Sequence, residues 1–161
     1  MSDLLVKLYD LPANAPLLEQ LAESGIRVRR ALASEKTIVT RWVSEQFTDG
    51  WSCECGIAFS RQPIACTVAT HEKSLLGFSC HGVICPDFLG PIGVLPEWRR
   101  HHVGKALLLA SLEALRAQGY AYAIIGWGGP VGFFEKSVGA MLIAGSEPGI
   151  YRGVLKERAS P

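Results

Sequence analysis

The segment from Phe88 to Trp127 constrains the fold most. It opens on the extended apolar run "FLGPIGVL" and passes through the turn "PEWRRHH". It then enters "VGKALLLASLEALRAQG" and ends on "YAYAIIGW". The spacing predicts a strand, a long helix stopped at Gly119, and a second strand whose near-continuous apolar character predicts burial on both faces. A strand–helix–strand crossover is right-handed and makes its two strands parallel neighbours. The first strand contains Gly90-Pro91. Proline removes a ladder donor, so that strand must bulge or lie unpaired there. A parallel pair with one interrupted member is a natural place for a sheet to splay and open a cleft.

The rest of the chain predicts elements of both kinds. "LLVKLYDLP" suits a first strand ended by Pro12. "NAPLLEQLAESGI" suits a helix with Asn14 as N-cap, Gly25 as its stop, and Leu17, Leu18, Leu21 and Ile26 on one face. "SEKTIVTRWVSEQF" suits a second helix capped by Ser34, with Ile38, Val39, Trp42, Val43 and Phe47 as its stripe, broken by "DGW". "SCECGIAFS", "IACTVAT" and "SLLGFSCHGVI" are expected as strands, and their short connections favour antiparallel pairing. "PVGFFEKSVGA" is expected as a short helix closed by Gly139, with "AMLIAG" and "IYRGVL" as a closing pair of strands. The expected fold is α+β (mixed α/β): a central, mostly antiparallel sheet with one splayed parallel pair, flanked by helices. At 161 residues the expectation is one domain, 1–161.

Composition excludes several classes. With 48% hydrophobic and 19% charged residues the chain is a packed globule, not a disordered one. A formal charge of +1 gives no bulk field for nucleic acid, so no nucleic-acid partner is expected. The start "MSDLLVKLYDLP" lacks the basic-then-apolar pattern of a signal peptide, and no apolar run has membrane length. A cytoplasmic location and no membrane partner are therefore expected. The five cysteines are Cys53, Cys55, Cys66, Cys80 and Cys85; an odd number does not suggest a disulfide framework. Cys53-x-Cys55 is expected to place both thiols on one face of a strand. Neither a CxxC pair nor a zinc-type histidine pair is present, so no metal site is expected and the thiols suit core packing. A thiol-based metal or redox domain using Cys53, Cys55, Cys80 and Cys85 is the competing reading.

Against this near-neutral background "RRHHVG" stands out. A helix N-terminus carries unpaired N–H groups and about half a positive charge. A preceding turn whose N–H groups converge completes an anion cradle. A glycine at Gly104 lets phosphate oxygens approach the main chain, and Arg99 and Arg100 add charge-assisted donors. The chemistry is that of a pyrophosphate site. It is neither a Walker loop nor the three-glycine dinucleotide fingerprint.

"VLPEWRRHHVGKALL" resembles the coenzyme A signature of the GCN5-related N-acetyltransferases, in which valine-x-proline precedes an [Arg/Gln]-x-x-Gly-x-[Gly/Ala] loop opening a helix. Val94, Pro96, Arg99, Val103 and Gly104 fall on that pattern, with His102 in place of its first glycine. "GFFEKSVGA" is similar to the family's phenylalanine-tyrosine-x-lysine-x-glycine segment. The resemblance implies acetyl-CoA as co-substrate. It implies a pantetheine arm paired along Ile92, Gly93 and Val94, and a pyrophosphate on the main chain from Arg99 through Arg100, His101, His102 and Val103 to Gly104, with Lys105 beside it. Phe133, Phe134 and Lys136 then fall where the family packs the pantetheine and cysteamine end, although the two phenylalanines also suit core. His102 is either an added donor or an exposed polar filler.

The implied reaction is direct attack of an amine on the thioester. The oxyanion falls to a backbone N–H at Ile92 on the bulged strand. The family's proton-donating tyrosine is replaced by Phe134, which cannot donate. That leaves Tyr151, water, or the substrate's own ammonium proton; Tyr122 is expected in the core. For the base, Glu54 on a neighbouring strand, Asp87 before the pantetheine strand, His81 mid-strand and a water relay remain open. Trp42 and Trp51 suit either an acceptor pocket or the core. The expected function is N-acetylation of a primary amine on a small molecule or peptide. A coenzyme-A-binding module with lost or regulatory chemistry is the alternative, and a homodimer through the C-terminal strands is possible.

Overall fold

The computed structural model describes residues 1–155. Its strands are β1 (Leu4–Lys7), β2 (Ile26–Arg30), β3 (Cys66–His71), β4 (Ser74–His81), β5 (Phe88–Val94), β6 (Tyr122–Ile125) and β7 (Met141–Leu142). Its helices are α1 (Ala15–Glu23), α2 (Lys36–Gln46), α3 (Asp49–Ala58), α4 (Val103–Ala117) and α5 (Val131–Val138). The strands form one sheet in the order β2-β3-β4-β5-β6-β1-β7. Every neighbouring pair is antiparallel except β5 and β6, which run parallel, as the crossover through α4 requires.

The parallel pair is short. Phe88 pairs with Ile124 and Leu89 with Ile125, and there the ladder ends. On the other side of β5 the register with β4 jumps from Ser79↔Ile92 to His81↔Leu89. Gly90 and Pro91 therefore share a bulge opposite one β4 residue, the outcome expected of a proline inside a strand.

Pleat alternation sorts the packing. Phe78 and Cys80 of β4 face a core with Val39 and Val43 of α2 and Cys55 and Ala58 of α3. Ser79 faces the opposite side, where its hydroxyl accepts from the buried Ser111 of α4 at 2.9 Å. α4 is sealed on most of its surface because Ala106, Leu107, Leu108, Leu109, Leu112 and Leu115 are all fully buried. A helix apolar nearly all round belongs inside a molecule, and the crossover puts it there.

Several expectations are corrected. "SCECGIAFS" is not a strand: Asp49–Ala58 is helix α3, its N-terminus capped by the Thr48 hydroxyl accepting from the Trp51 amide at 3.1 Å. Glu54 is therefore on a helix, and Cys53 and Cys55 do not share a strand face: Cys53 is exposed and Cys55 buried. Ile26 does not extend α1 but opens β2, an edge strand alternating apolar and charged residues. Ile38, expected on the buried stripe of α2, is exposed. Ser34 lies in a single 3-10 turn before α2 and does not cap it. Asn14 does precede α1, but its amide donates to the Ala106 carbonyl of α4 at 3.2 Å instead of capping. Tyr122 is 47% exposed, edge-on to Tyr9, so it is not core and β6 is not buried on both faces throughout. The closing pair of strands reduces to β7, two exposed residues beside β1; Tyr151 lies in a 3-10 turn, Gly149–Tyr151.

Candidate active site

The cleft begins where the β5–β6 ladder stops. The Leu95 amide donates to Leu76 of β4 at 2.9 Å. Alternation along a strand then turns the polar groups of Gly93 toward β4 and those of Ile92 and Val94 toward the open side. From Gly90 to Val94, β5 has no β6 partner among the described residues. An extended ligand laid along this edge meets main-chain donors and acceptors spaced as a strand would meet them. The Gly93 position is fixed from the other face: a β-carbon there would lie 2.6 Å from the Phe47 ring, so only glycine fits.

The mouth of the cleft is the start of α4. Arg99 folds back so that its Nε donates to the Val94 carbonyl at 3.2 Å. Arg100 and His102 both hold left-handed backbone, with φ of 67° and 61°. Non-glycine residues adopt that conformation at a cost of about 1–2 kcal/mol each, and between them the His101 amide turns inward to donate to the Arg99 carbonyl at 2.9 Å. His102 is the residue before the first helical turn, whose amides at Val103, Gly104 and Lys105 have no intrahelical partners. Val103 is fully buried, so it offers only main chain. A methyl group added at Gly104 would meet the Phe133 ring at 3.5 Å and Val94 at 3.6 Å. The two sequence segments thus meet at this glycine. Behind the loop, Arg100, His101 and His102 line a hollow of about 420 Å³ against Leu17, Gln20 and Leu21 of α1. Trp98 stacks there between His71 and His101. Phe134 is buried in the core with Leu4 and Val138, and Lys136 is exposed on α5.

The far end is built from side chains. The Tyr151 hydroxyl touches Gly126, the residue after β6, and Phe88 packs against the same glycine. The Tyr151 ring lies 4.2 Å from that of Trp127, whose amide donates to the buried Asp3 carboxylate at 3.0 Å. Burial pushes the Tyr151 hydroxyl up to about 12, helped by the charges of Glu54, Asp3 and Cys85. The phenol therefore keeps its proton at neutral pH. Glu54 of α3 lies near enough for its charge to act on that phenol, and burial raises its carboxyl above the ordinary carboxylate range. Two of the residues singled out in the sequence, Glu54 and Tyr151, so lie within electrostatic reach of each other across the cleft end.

The other candidates are placed differently. Asp87 contributes its carbonyl, which accepts from Ile124 at 3.0 Å and extends the parallel ladder. His81 is buried with Nε2 3.4 Å from the side-chain amide of Gln118, the residue after α4, beside Arg61. Burial, with Arg30 and Arg61, lowers its imidazole to about 4. Trp42 and Trp51 are half-buried and pack on Phe47 and Phe78 against the core. The sequence reading missed Asp3, Trp127 and Gly126. The "GWGGP" run after β6 is the signal that could have found them, since clustered glycines mark close main-chain approach.

The fold, a mostly antiparallel sheet with one parallel pair and flanking helices, recurs in solved structures. The glucosamine N-acetyltransferase region of a fungal multi-domain β-N-acetylglucosaminidase is 13% identical with a TM-score of 0.71, covering 88% of this chain and 19% of that one. A GCN5-related N-acetyltransferase from Sphaerobacter thermophilus is 16% identical with a TM-score of 0.63, covering 88% of this chain and 48% of that one. A GNAT family acetyltransferase from Brucella melitensis, solved with acetyl-CoA, is 17% identical with a TM-score of 0.55, covering 73% of this chain and 86% of that one. The chain thus spans less than half the length of the first two. No curated protein sequence matches at a significant level. No helix among the described residues is long and apolar enough to cross a membrane. The sequence profile of the Acetyltransferase (GNAT) family matches residues 36–139, from the start of α2 to the end of α5, and so takes in both the open β5 edge and the loop that cradles its mouth. On that match over more than half its length, the chain belongs to the GNAT acetyltransferase family.

Proposed function

We propose that residues 1–161 act as one N-acetyltransferase unit that moves an acetyl group from acetyl-CoA to a primary amine. The observation that carries this reading is the unpaired β5 edge from Gly90 to Val94, which runs from the phosphate-type cradle at Gly104 to the protonated hydroxyl of Tyr151.

The residues fit the co-substrate at both ends. The first amides of α4 and Arg99 or Arg100 hold the pyrophosphate, the open edge at Ile92 and the Val94 N–H pair with the pantetheine arm, and Phe133 covers the mouth. Bound there, the thioester supplies an activated acyl group. The Ile92 N–H, turned to the open side, donates to the carbonyl oxygen as negative charge builds on it. Glu54, ionised above its raised value, takes a proton from the acceptor's ammonium, directly or through one water, and frees the amine lone pair to attack. Tyr151 gives its proton to the leaving sulfur, the task that Phe134 cannot perform. The acceptor is a small-molecule or peptide amine.

Calorimetric titration with acetyl-CoA, repeated with adenosine diphosphate, tests the reading. Micromolar binding that is much tighter for acetyl-CoA supports cradle and edge together, and acetylation of a member of an amine panel completes the assignment. The buried phenylalanine at position 134 favours a second reading, a coenzyme-A-binding module without transfer chemistry. Tight binding with slow thioester hydrolysis that no amine stimulates would select it.

A further inference from the structure

The three fully buried thiols have no part in the cleft chemistry. They come from three elements: Cys55 from α3, Cys66 from β3 and Cys80 from β4. Cys66 and Cys80 are directly opposed in the β3–β4 register, so both point to one face. Cys55 descends onto them from the helix above, its sulfur 3.9 Å from that of Cys66. All three sulfurs lie within 4.8 Å of one another.

We propose that Cys55, Cys66 and Cys80 form a three-sulfur site for a trivalent thiophilic ion, of which arsenic(III) is the type.

Geometry supplies the first argument. The sulfurs stand within 4.8 Å of one another. Arsenic(III) keeps a lone pair and sits above its three sulfurs, so with a thiolate bond of about 2.3 Å, the zinc value, they close to roughly 3.5 Å, a contraction of at most about 1.3 Å that thiol rotation and a small shift of α3 supply. Chemistry supplies the second. Val39, Val43, Ala58 and Phe78 surround the sulfurs, and among the described residues no fourth His, Cys, Asp or Glu joins the group. Oxygen-seeking cations have no ligands there, and zinc lacks the fourth ligand of its structural sites. Charge supplies the third. A net charge in an apolar core is costly. Three thiolates leave two negative charges around a monovalent ion and one around a divalent ion, but none around a trivalent one.

The binding step balances without a redox partner. Arsenous acid, As(OH)₃, meets three thiols. Three As–S bonds form, three As–O bonds break, and the three thiol protons leave with the hydroxides as three waters. The occupied site pins the inner face of α3 to β3 and β4. Cys53, exposed on the same helix, and Cys85 lie outside the cluster and serve as internal controls.

Intact mass spectrometry of the native chain after incubation with arsenite reads the site. The expected product gains one arsenic and loses three hydrogens, and thermal unfolding moves up by several degrees because the ion binds the folded state. Cys53→Ser and Cys85→Ser leave both results unchanged, whereas Cys66→Ala or Cys80→Ala lowers arsenite affinity at least tenfold. Should those alanine variants not fold, arsenic X-ray absorption on the unmodified protein counts three sulfur neighbours and no oxygen. The proposal is overturned by no uptake in the native state, by uptake that depends on Cys53 or Cys85, by an oxygen left in the arsenic shell, or by a lowered unfolding temperature. Preferential retention of zinc in a parallel titration would overturn the choice of a trivalent ion.

Discussion

The two ends of the cleft are built in opposite ways. In the proposed site the mouth offers main chain: the Ile92–Val94 edge, the left-handed loop at Arg100 and His102, and the first amides of α4. At the far end the proposed catalytic groups are side chains brought from separate parts of the chain. Tyr151 comes from the C-terminal turn and Glu54 from α3, with Asp3 of the N-terminus holding Trp127 beneath the tyrosine. A site made of backbone tolerates most substitutions that keep the fold. A site made of side chains fails with one atom. The mouth should therefore govern affinity and the far end rate.

Tyr151→Phe tests this division most severely. The ring keeps its stack on Trp127 and loses only the hydroxyl. A positioned proton donor contributes about 10²–10⁴ in rate, so kcat should fall by that factor while the Kd for acetyl-CoA changes less than about twofold. Separate measurement of Kd and kcat decides it. A large loss of binding with normal turnover would reverse the roles of the two ends.

Glu54→Gln comes next, with a kcat loss of about 10² at neutral pH. Its pH signature is more informative. Burial raises the wild-type carboxyl above the ordinary carboxylate range, so the acid limb of the rate profile should lie above that range and vanish in the variant. Stability gives an independent sign. A carboxyl whose folded value is raised contributes fully below its unfolded value, and that contribution is lost as pH rises through the folded value. Denaturation should show the wild type losing stability relative to Glu54→Gln over that interval. Parallel stability curves would show that Glu54 is not buried in solution. Tyr151, held at about 12, should add no alkaline limb in the neutral range.

The same division explains what the sequence made legible. Strand, cradle, helix and strand from Phe88 to Ile125 carry local signals: an interrupted apolar run, a basic turn, a helix-length apolar stretch and a stop at Gly119. Their arrangement follows from chirality, so the splay could be expected before the structure. The far end had no such signal. "DGWSCECGIAFS" was expected to break a helix and form a strand, although Thr48 caps it and Trp51, Cys55 and Ala58 recur at helical spacing. β2 was hidden because "IRVRR" carries charge on its solvent face, as an edge strand does. Tyr151 and Glu54 are 97 positions apart in sequence (151 less 54), and only tertiary packing brings them together. Their chemistry could be listed from the sequence, but not their meeting.

Gly104→Val probes the mouth. The branched side chain must enter the gap between Phe133 and Val94, where even a methyl group would sit at 3.5 and 3.6 Å. Affinity for acetyl-CoA should fall about tenfold, equivalent to about 1.4 kcal/mol, with kcat at saturation little changed. Gly104→Ala sharpens the result, because its methyl makes ordinary contacts and alanine favours a helix over glycine by about 0.8–1.0 kcal/mol. The alanine variant should be more stable yet bind more weakly. Unchanged binding in both variants would move the phosphate site away from this glycine.

His102→Gly carries the smallest effect and asks what the imidazole is for. His102 holds φ at 61° in the place where the family pattern has glycine. Glycine there relieves left-handed strain of about 1–2 kcal/mol, while its freer unfolded chain returns up to about 1 kcal/mol of that gain. The net change in unfolding stability should be zero to positive and no more than about 1.6 kcal/mol, with acetyl-CoA affinity within about twofold of wild type. That outcome means the mouth depends on the path of the backbone, and that the side chain is an exposed filler. A tenfold loss of affinity would instead make the His102 side chain a direct phosphate ligand. The mouth would then share with the far end its dependence on a single side chain.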